Sequence, residues 1–240
     1  MFIKSDNQNN IVIDKFCSCE SYSPASGQFT YFSDNINSTI QQGSICNGGH
    51  SSIYYAMIYQ YEGNSSLSYT NFTNCESSST TAFNIESCEP FYNVSFCCFE
   101  KLDSPYTVSN FRFVHGRAER CNYINNLQAN IFAGVLTFVQ CGYEVLDSIF
   151  RLNRAQYIFY GQADIKRCYL DQNSGKATHD KNINEYKLTS SFENDIKFIG
   201  IYPCEGAIKI FHDNKIKCHI TRHISYFSVI KVFMPFRLLK

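Results

Sequence analysis

Ala118-Glu-Arg-Cys-Asn-Tyr-Ile-Asn-Asn126, Val145-Leu-Asp-Ser-Ile-Phe-Arg-Leu-Asn153 and Ile165-Lys-Arg-Cys-Tyr-Leu-Asp-Gln-Asn173 share one pattern. In each, an apolar residue is followed five positions later by a large apolar one, and three positions after that by asparagine. The same register, with Cys, Gly or Phe in the last place, fits Ile11/Phe16/Cys19, Ile40/Ile45/Gly48, Leu67/Phe72/Cys75 and Phe91/Phe96/Phe99. Successive starts are 29, 27, 24, 27, 27 and 20 residues apart, which is the range of solenoid repeats and too irregular for leucine-rich or ankyrin arrays. Within a copy, a small or moderate residue stands two before the large one and polar residues often flank it, as with Thr70, Asn71 and Thr73 around Phe72. This period of two, rich in β-branched and aromatic residues, predicts a short strand with one buried face.

A second apolar stretch follows in most copies: Ala82 to Ile85, Phe111 to Val114, Ile131 to Val139 and Tyr157 to Tyr160. Each coil therefore carries at least two strands. No stretch N-terminal to Gly175 sustains a helical stripe with good formers and caps, so crossover helices for an α/β fold are missing. The expectation is an all-β parallel solenoid of about seven coils over residues 8–175, followed at 176–240 by a polar loop, capping strands and a basic apolar tail. At about 4.8 Å per coil the rod is roughly 34 Å long. Stacking predicts an internal column of Phe16, Phe72, Phe96, Tyr123, Phe150 and Leu170, and a ladder of Asn126, Asn153 and Asn173 at the turn beyond it. Open ends of such a rod need caps.

Leu67-Ser-Tyr-Thr-Asn-Phe-Thr-Asn-Cys75, together with the copies beginning at Ala118 and Ile165, resembles the right-handed parallel β-helix repeat of pectate-lyase-like folds and adhesin-like surface proteins. The Cys- and Asn-rich texture, with Phe after the cysteine, resembles the large β-helix surface families of trichomonad-type protists. The resemblance covers about residues 8–175 and implies a right-handed β-helix; it does not by itself imply chemistry.

Composition narrows the function. The 240 residues are 44% apolar and 18% charged, enough for one large domain with a continuous core. Lys plus Arg and Asp plus Glu both number 21, so there is no net positive field and nucleic acid is not an expected partner. Six basic residues and no acid fall between Asn214 and Lys240, which leaves the rest of the chain at about −6. Ile224 to Leu239 is apolar but only 16 residues long and broken by Lys231, Pro235 and Arg237, so no transmembrane helix is expected. It reads as a segment lying over the open end of the core, with weak membrane-surface contact as the alternative. The first residues lack the apolar core of a signal peptide, so the expected location is intracellular, or the cell surface or exterior if the true start lies upstream.

The 12 cysteines include Cys17-Ser-Cys19 and Cys97-Cys98 but never two CxxC pairs at finger spacing, so no metal and no cofactor is expected. They read as buried thiols, with an occasional disulfide between coils. Cys121 and Cys168 share a register position two coils apart, too far to bridge. No Asp-Asp pair, histidine cluster or phosphate loop supplies a catalytic site, and His115-Gly-Arg117 and Asp164-Ile-Lys166 match only fragments of the polygalacturonase pattern. His115 and Arg117 read as solvated loop residues. No catalytic residue is assigned.

What remains is surface. Tyr54, Tyr55, Tyr59 and Tyr61, beside Gly48-Gly49, form the densest of the tyrosine clusters and the candidate binding surface, although alternation turns about half of them toward the core. Asn37, Asn64, Asn71 and Asn93 are candidate glycosylation acceptors. The expected function is a non-enzymatic surface or adhesin-like scaffold for a host protein or glycan. The alternatives are a carbohydrate-processing β-helix enzyme, either polysaccharide lyase or glycoside hydrolase, and a truncated gene copy without function.

Overall fold

The computed structural model describes residues 3–5, 10–20, 28–33, 37–50, 56–88, 91–179, 187–188 and 227–233, with backbone alone at 3–5, 187–188 and 227–233. Among them every regular element is a strand, and two 12-stranded, mostly parallel sheets wind together into a β-solenoid of about five turns. Seven copies of a strand bound only six intervals, and the first interval runs through residues 21–27 and 34–36, which are outside the described set. This accounts for the difference from seven expected coils.

A coil has four faces, seen most clearly at Tyr92–Ser95, Cys98–Glu100, Asp103–Ser104 and Thr107–Arg112. On the first face Ile13, Ile40, Leu67, Val94, Ala118, Val145 and Ile165 pair in succession. The repeat lengths are therefore 27, 27, 27, 24, 27 and 20, more regular than the sequence pattern suggests. On the second face the interior column is Ser18, Ile45, Phe72, Phe99, Tyr123, Phe150 and Leu170. Phe72 stacks on Phe99, Phe99 on Tyr123 and Tyr123 on Phe150, with centroids 5.1, 4.4 and 5.0 Å apart. Offset stacking at about the coil pitch keeps each ring in contact with the next.

Two members of the expected column are displaced. Phe16 lies two residues before the column, against Gly43 of the next coil, where any Cβ would overlap the Phe16 ring. The first coil has exchanged a large residue for a small one between neighbouring interior positions: Phe16 fills the space Gly43 leaves and Ser18 takes the column. Phe96 is the other. It sits at a corner with φ 53°, half-buried, while Phe99 takes the interior place.

Corners explain how strands this short stay in register. All eighteen non-glycine residues with positive φ among the described residues fall into three columns, at three of the four corners of the coil. The first is Lys15, Gln42, Tyr69, Phe96, Arg120, Asp147 and Arg167; the second is Glu20, Asn47, Asn74, Lys101, Asn125, Leu152 and Gln172; the third is Glu62, Ser87, Phe113 and Gln140, continued by Gly161. A left-handed residue turns the chain sharply, at a cost of roughly 1–2 kcal/mol for an L-residue. Its N–H is not lost: Arg120 donates to the Leu146 carbonyl and Asn125 to that of Arg151, each on the next coil. The stack holds the strained conformation because twelve of these corner N–H groups bond a carbonyl of the coil above.

Inside the second corner the expected asparagine ladder is present. Asn126 and Asn153 are 1% and 0% exposed. Asn126 Nδ2 donates to Asn153 Oδ1, and Asn153 Nδ2 to Asn173 Oδ1, both at 2.9 Å. The same Oδ1 atoms accept from the backbone N–H of the preceding asparagine, and Leu102 N–H donates to Asn126 Oδ1. Each Nδ2 also reaches a carbonyl: Phe99, Tyr123 or Phe150. These amides satisfy backbone groups that the corner leaves without a sheet partner.

Both ends acquire extra strands. Lys187–Leu188 adds in parallel to Asp164–Asp171, and Phe227–Phe233 pairs antiparallel with Asn10–Phe16 at the opposite end of the rod. The start of the expected polar loop is instead a strand, Ser174–Thr178, which adds in parallel to Arg154–Tyr160 because its backbone continues the fourth face for one more coil; the remainder of that loop and most of 176–240 lie outside the described residues.

Candidate binding surface

The tyrosine cluster is only partly visible, because Tyr54 and Tyr55 lie outside the described residues. Tyr59 and Tyr61 are on the strand Ile58–Tyr61, whose burial alternates, and both face outward. Tyr59 stacks on Tyr31 of the preceding coil at 5.4 Å and donates through its hydroxyl to Glu86 Oε2 at 3.4 Å. Arg112 holds the other Glu86 oxygen at 3.3 Å and lies over the ring of Phe113. The result is a patch of stacked rings and one ion pair on the fourth face.

A longer strip runs down the first corner, which the sequence reading did not identify. Tyr69, 41% exposed, stacks on Phe96 at 4.8 Å with planes 4° apart. Arg120 lies 5.4 Å from the Phe96 centroid, and Arg167 clamps Asp147 through Nε and Nη2 at 2.6 and 2.7 Å. The Asp147 carboxylate raises the Arg167 pKa further above its ordinary value. Five successive coils thus present Tyr69, Phe96, Arg120, Asp147 and Arg167 from left-handed backbone positions. The signal was in the sequence, two residues after each first-face apolar position, but it shows no hydropathy period because corners admit any side chain that faces water.

The residues matching polygalacturonase fragments are on strands, not loops. His115 and Arg117 belong to His115–Glu119 and point outward because their neighbours Gly116 and Ala118 are buried. Glu144 and Asp164, well separated in the chain, are paired neighbours on adjacent coils. Arg117 and Lys166 contact Glu144 at 3.5 and 3.2 Å, and Lys166 reaches Asp164 at 3.8 Å. A search for adjacent acids along the sequence misses this pair because the coil, not the strand, brings it together. His179 packs beside Tyr157 and Tyr160; His212, His219 and His223 lie outside the described residues.

Of the four candidate sugar acceptors, Asn37, Asn64 and Asn93 are exposed, whereas Asn71 is only 6% exposed, leaving no room for a sugar in the folded coil. Ile131 and Phe132, read as the start of a strand, instead form an exposed turn before Gly134–Val139, 60% and 66% accessible. Asn130 Oδ1 fixes that turn by accepting from Phe132 N–H.

Seven cysteines among the described residues are unbonded, six of them buried. Burial pushes the thiols of Cys75, Cys88, Cys98 and Cys168 up to about 12. These are inert core groups rather than nucleophiles. Cys121 and Cys168 occupy one column with Ser148 between them, as expected, and Cys19 is joined to Cys46 of the next coil. Cys17, Cys19 and Cys46 together bring three sulfurs within 4.8 Å of one another. No known family, curated protein or solved structure matches the sequence.

Proposed function

We propose that the chain is a non-enzymatic binding scaffold, of the kind that the resemblance to pectate-lyase-like repeats and trichomonad-type surface β-helix families implies, and that it engages a protein at a cell surface or outside the cell. The carrying observation is the first-corner strip. Its side chains are spaced by the coil pitch and emerge from fixed left-handed backbone, so little conformational freedom is lost on docking. A protein partner is favoured over a glycan because Tyr69 and Phe96 cover each other's faces and Arg120 covers Phe96. Sugars stack on free ring faces, whereas protein interfaces take ring edges and arginines.

The test is binding of labelled protein to intact epithelial cells left untreated, trypsin-shaved or glycosidase-stripped, beside a Tyr69→Ala/Phe96→Ala variant of unchanged circular dichroism. Trypsin should abolish binding and the variant should weaken it roughly 30-fold or more, the size of an interface hot spot. Loss on glycosidase treatment alone would transfer the reading to a glycan, and wild-type binding by the variant would remove the strip from it. The Glu144/Asp164 pair favours a second reading, a polysaccharide-processing enzyme. Polygalacturonate should remain uncleaved with or without calcium; release of sugars that stops in Glu144→Gln would establish the enzyme instead.

A further inference from the structure

Phe132, Ile131 and Leu127 are the three most exposed large apolar side chains among the described residues, and all three belong to the corner that joins the third face to the fourth. That connection is longer than its neighbours. From Asp103/Leu127 to Ser109/Leu136 the register grows from 24 residues to 27, and from Leu127/Arg154 to Gly134/Tyr157 it shrinks from 27 to 23. The turn at 129–133 therefore stands out between shorter turns on both sides. It is also fixed. Gln128 Nε2 donates to the carbonyls of Asn130 and Tyr106 at 2.6 and 2.7 Å, and Asn130 Oδ1 accepts from Phe132 N–H.

Cations lie beside the turn on the following coils. Arg154 pairs with Leu127, and Lys176 pairs with Tyr157, itself the partner of Gly134. Both are exposed, and no carboxylate among the described residues holds either, whereas Arg112, Arg117, Arg151 and Arg167 each have one. The acids of the same column, Asp103 and Glu76, lie on the other side of Leu127.

We infer that this corner rests on a phospholipid bilayer, with Ile131 and Phe132 entering the interfacial layer and Arg154 and Lys176 meeting headgroup phosphates. Three side chains on a projecting tip fall far short of the area of about 800 Å² that each partner of a stable protein complex buries. A bilayer closes around such a tip without needing a complementary shape, and cations at its surface add attraction. The contact is weak and reversible. Counted round the coil, this corner is two away from the strip of Tyr69 to Arg167 in either direction, so docking turns the strip away from the lipid. A protein held at the strip then gains a second contact through effective concentration, and this last step alone rests on the scaffold reading.

The chain has no tryptophan, so Phe132→Trp places a lone reporter in the turn. Titrated at low salt with vesicles of phosphatidylcholine and phosphatidylserine, its emission should shift to the blue and be quenched by lipids brominated on their acyl chains. In flotation with the same vesicles, Ile131→Ser/Phe132→Ser should lose about tenfold or more in affinity and Arg154→Gln/Lys176→Gln about tenfold, both with wild-type circular dichroism. The Tyr69→Ala/Phe96→Ala variant should float as wild type does, so this inference and the scaffold reading fail separately. Unshifted emission, or wild-type flotation by Ile131→Ser/Phe132→Ser, would overturn the assignment. So would loss of cell binding in that variant without any vesicle binding by the wild type, an outcome that gives the corner to a protein.

Discussion

Asn126, Asn153 and Asn173 inside the second corner, and Asn10, Asn37 and Asn64 on the outside of the first face, make nearly the same bonds. Asn37 Nδ2 donates to Asn10 Oδ1 at 3.0 Å and Asn64 N–H donates to Asn37 Oδ1 at 3.1 Å, where the equivalent inner bonds are 2.9 Å and 3.0 Å. The coil pitch sets both geometries. Their surroundings differ: Asn126 and Asn153 are sealed from water, whereas Asn37 and Asn64 are exposed. Water can replace the outer bonds, so geometry repeats along a solenoid while energy follows burial.

The largest expected effect concerns the buried thiols. Values near 12 for Cys75, Cys88, Cys98 and Cys168 lie above the ordinary 9.0, so the folded chain keeps protons that the unfolded chain releases. The stability they contribute is fully present below about pH 9 and falls as pH rises toward 12, by up to about 1.4 kcal/mol per pH unit for each thiol. Urea midpoints at pH 8 and pH 10.5 should differ steeply; equal midpoints would mean that these thiols meet water. Next is Phe150→Ala, expected to cost about 3–5 kcal/mol through a cavity between stacked rings, against roughly 0.5 kcal/mol or less for its outward neighbour Arg151→Ala. Equal losses would erase the distinction between the two sides of the strand. Smallest is the pair of ladders. Asn153→Ala strands the Asn126 N–H and the Tyr123 carbonyl and should cost about 2–4 kcal/mol, whereas Asn37→Ala should cost less than about 0.5 kcal/mol in the same denaturation assay.

Much of the fold was legible because its strands are short and alternate, and because the column from Phe72 to Phe150 places bulk where a parallel stack needs it. The first coil misled because Phe16 and Gly43 exchange volumes across a coil boundary, a compensation visible only once the strands are paired. Phe91 and Phe96 misled for the opposite reason: they are large but outward, Phe96 supported by Tyr69 rather than by the core. The first-corner strip and the three-sulfur cluster were overlooked for one shared cause. Residues a full coil apart become neighbours only when the register is known, and an error of two residues in the first copy separates Cys19 from Cys46.

The antiparallel strand Phe227–Phe233 has a mechanical consequence. Asn10 faces Phe233 and Phe16 faces Phe227, so the chain leading into one strand and the chain leading out of the other emerge at the same end of the ladder. Tension applied through those two chain segments loads the hydrogen bonds one after another, as a zipper does, rather than all at once in shear. The closing strand therefore yields at low force, and its release bares the edge of Asn10–Cys19 while the coils behind it remain stacked.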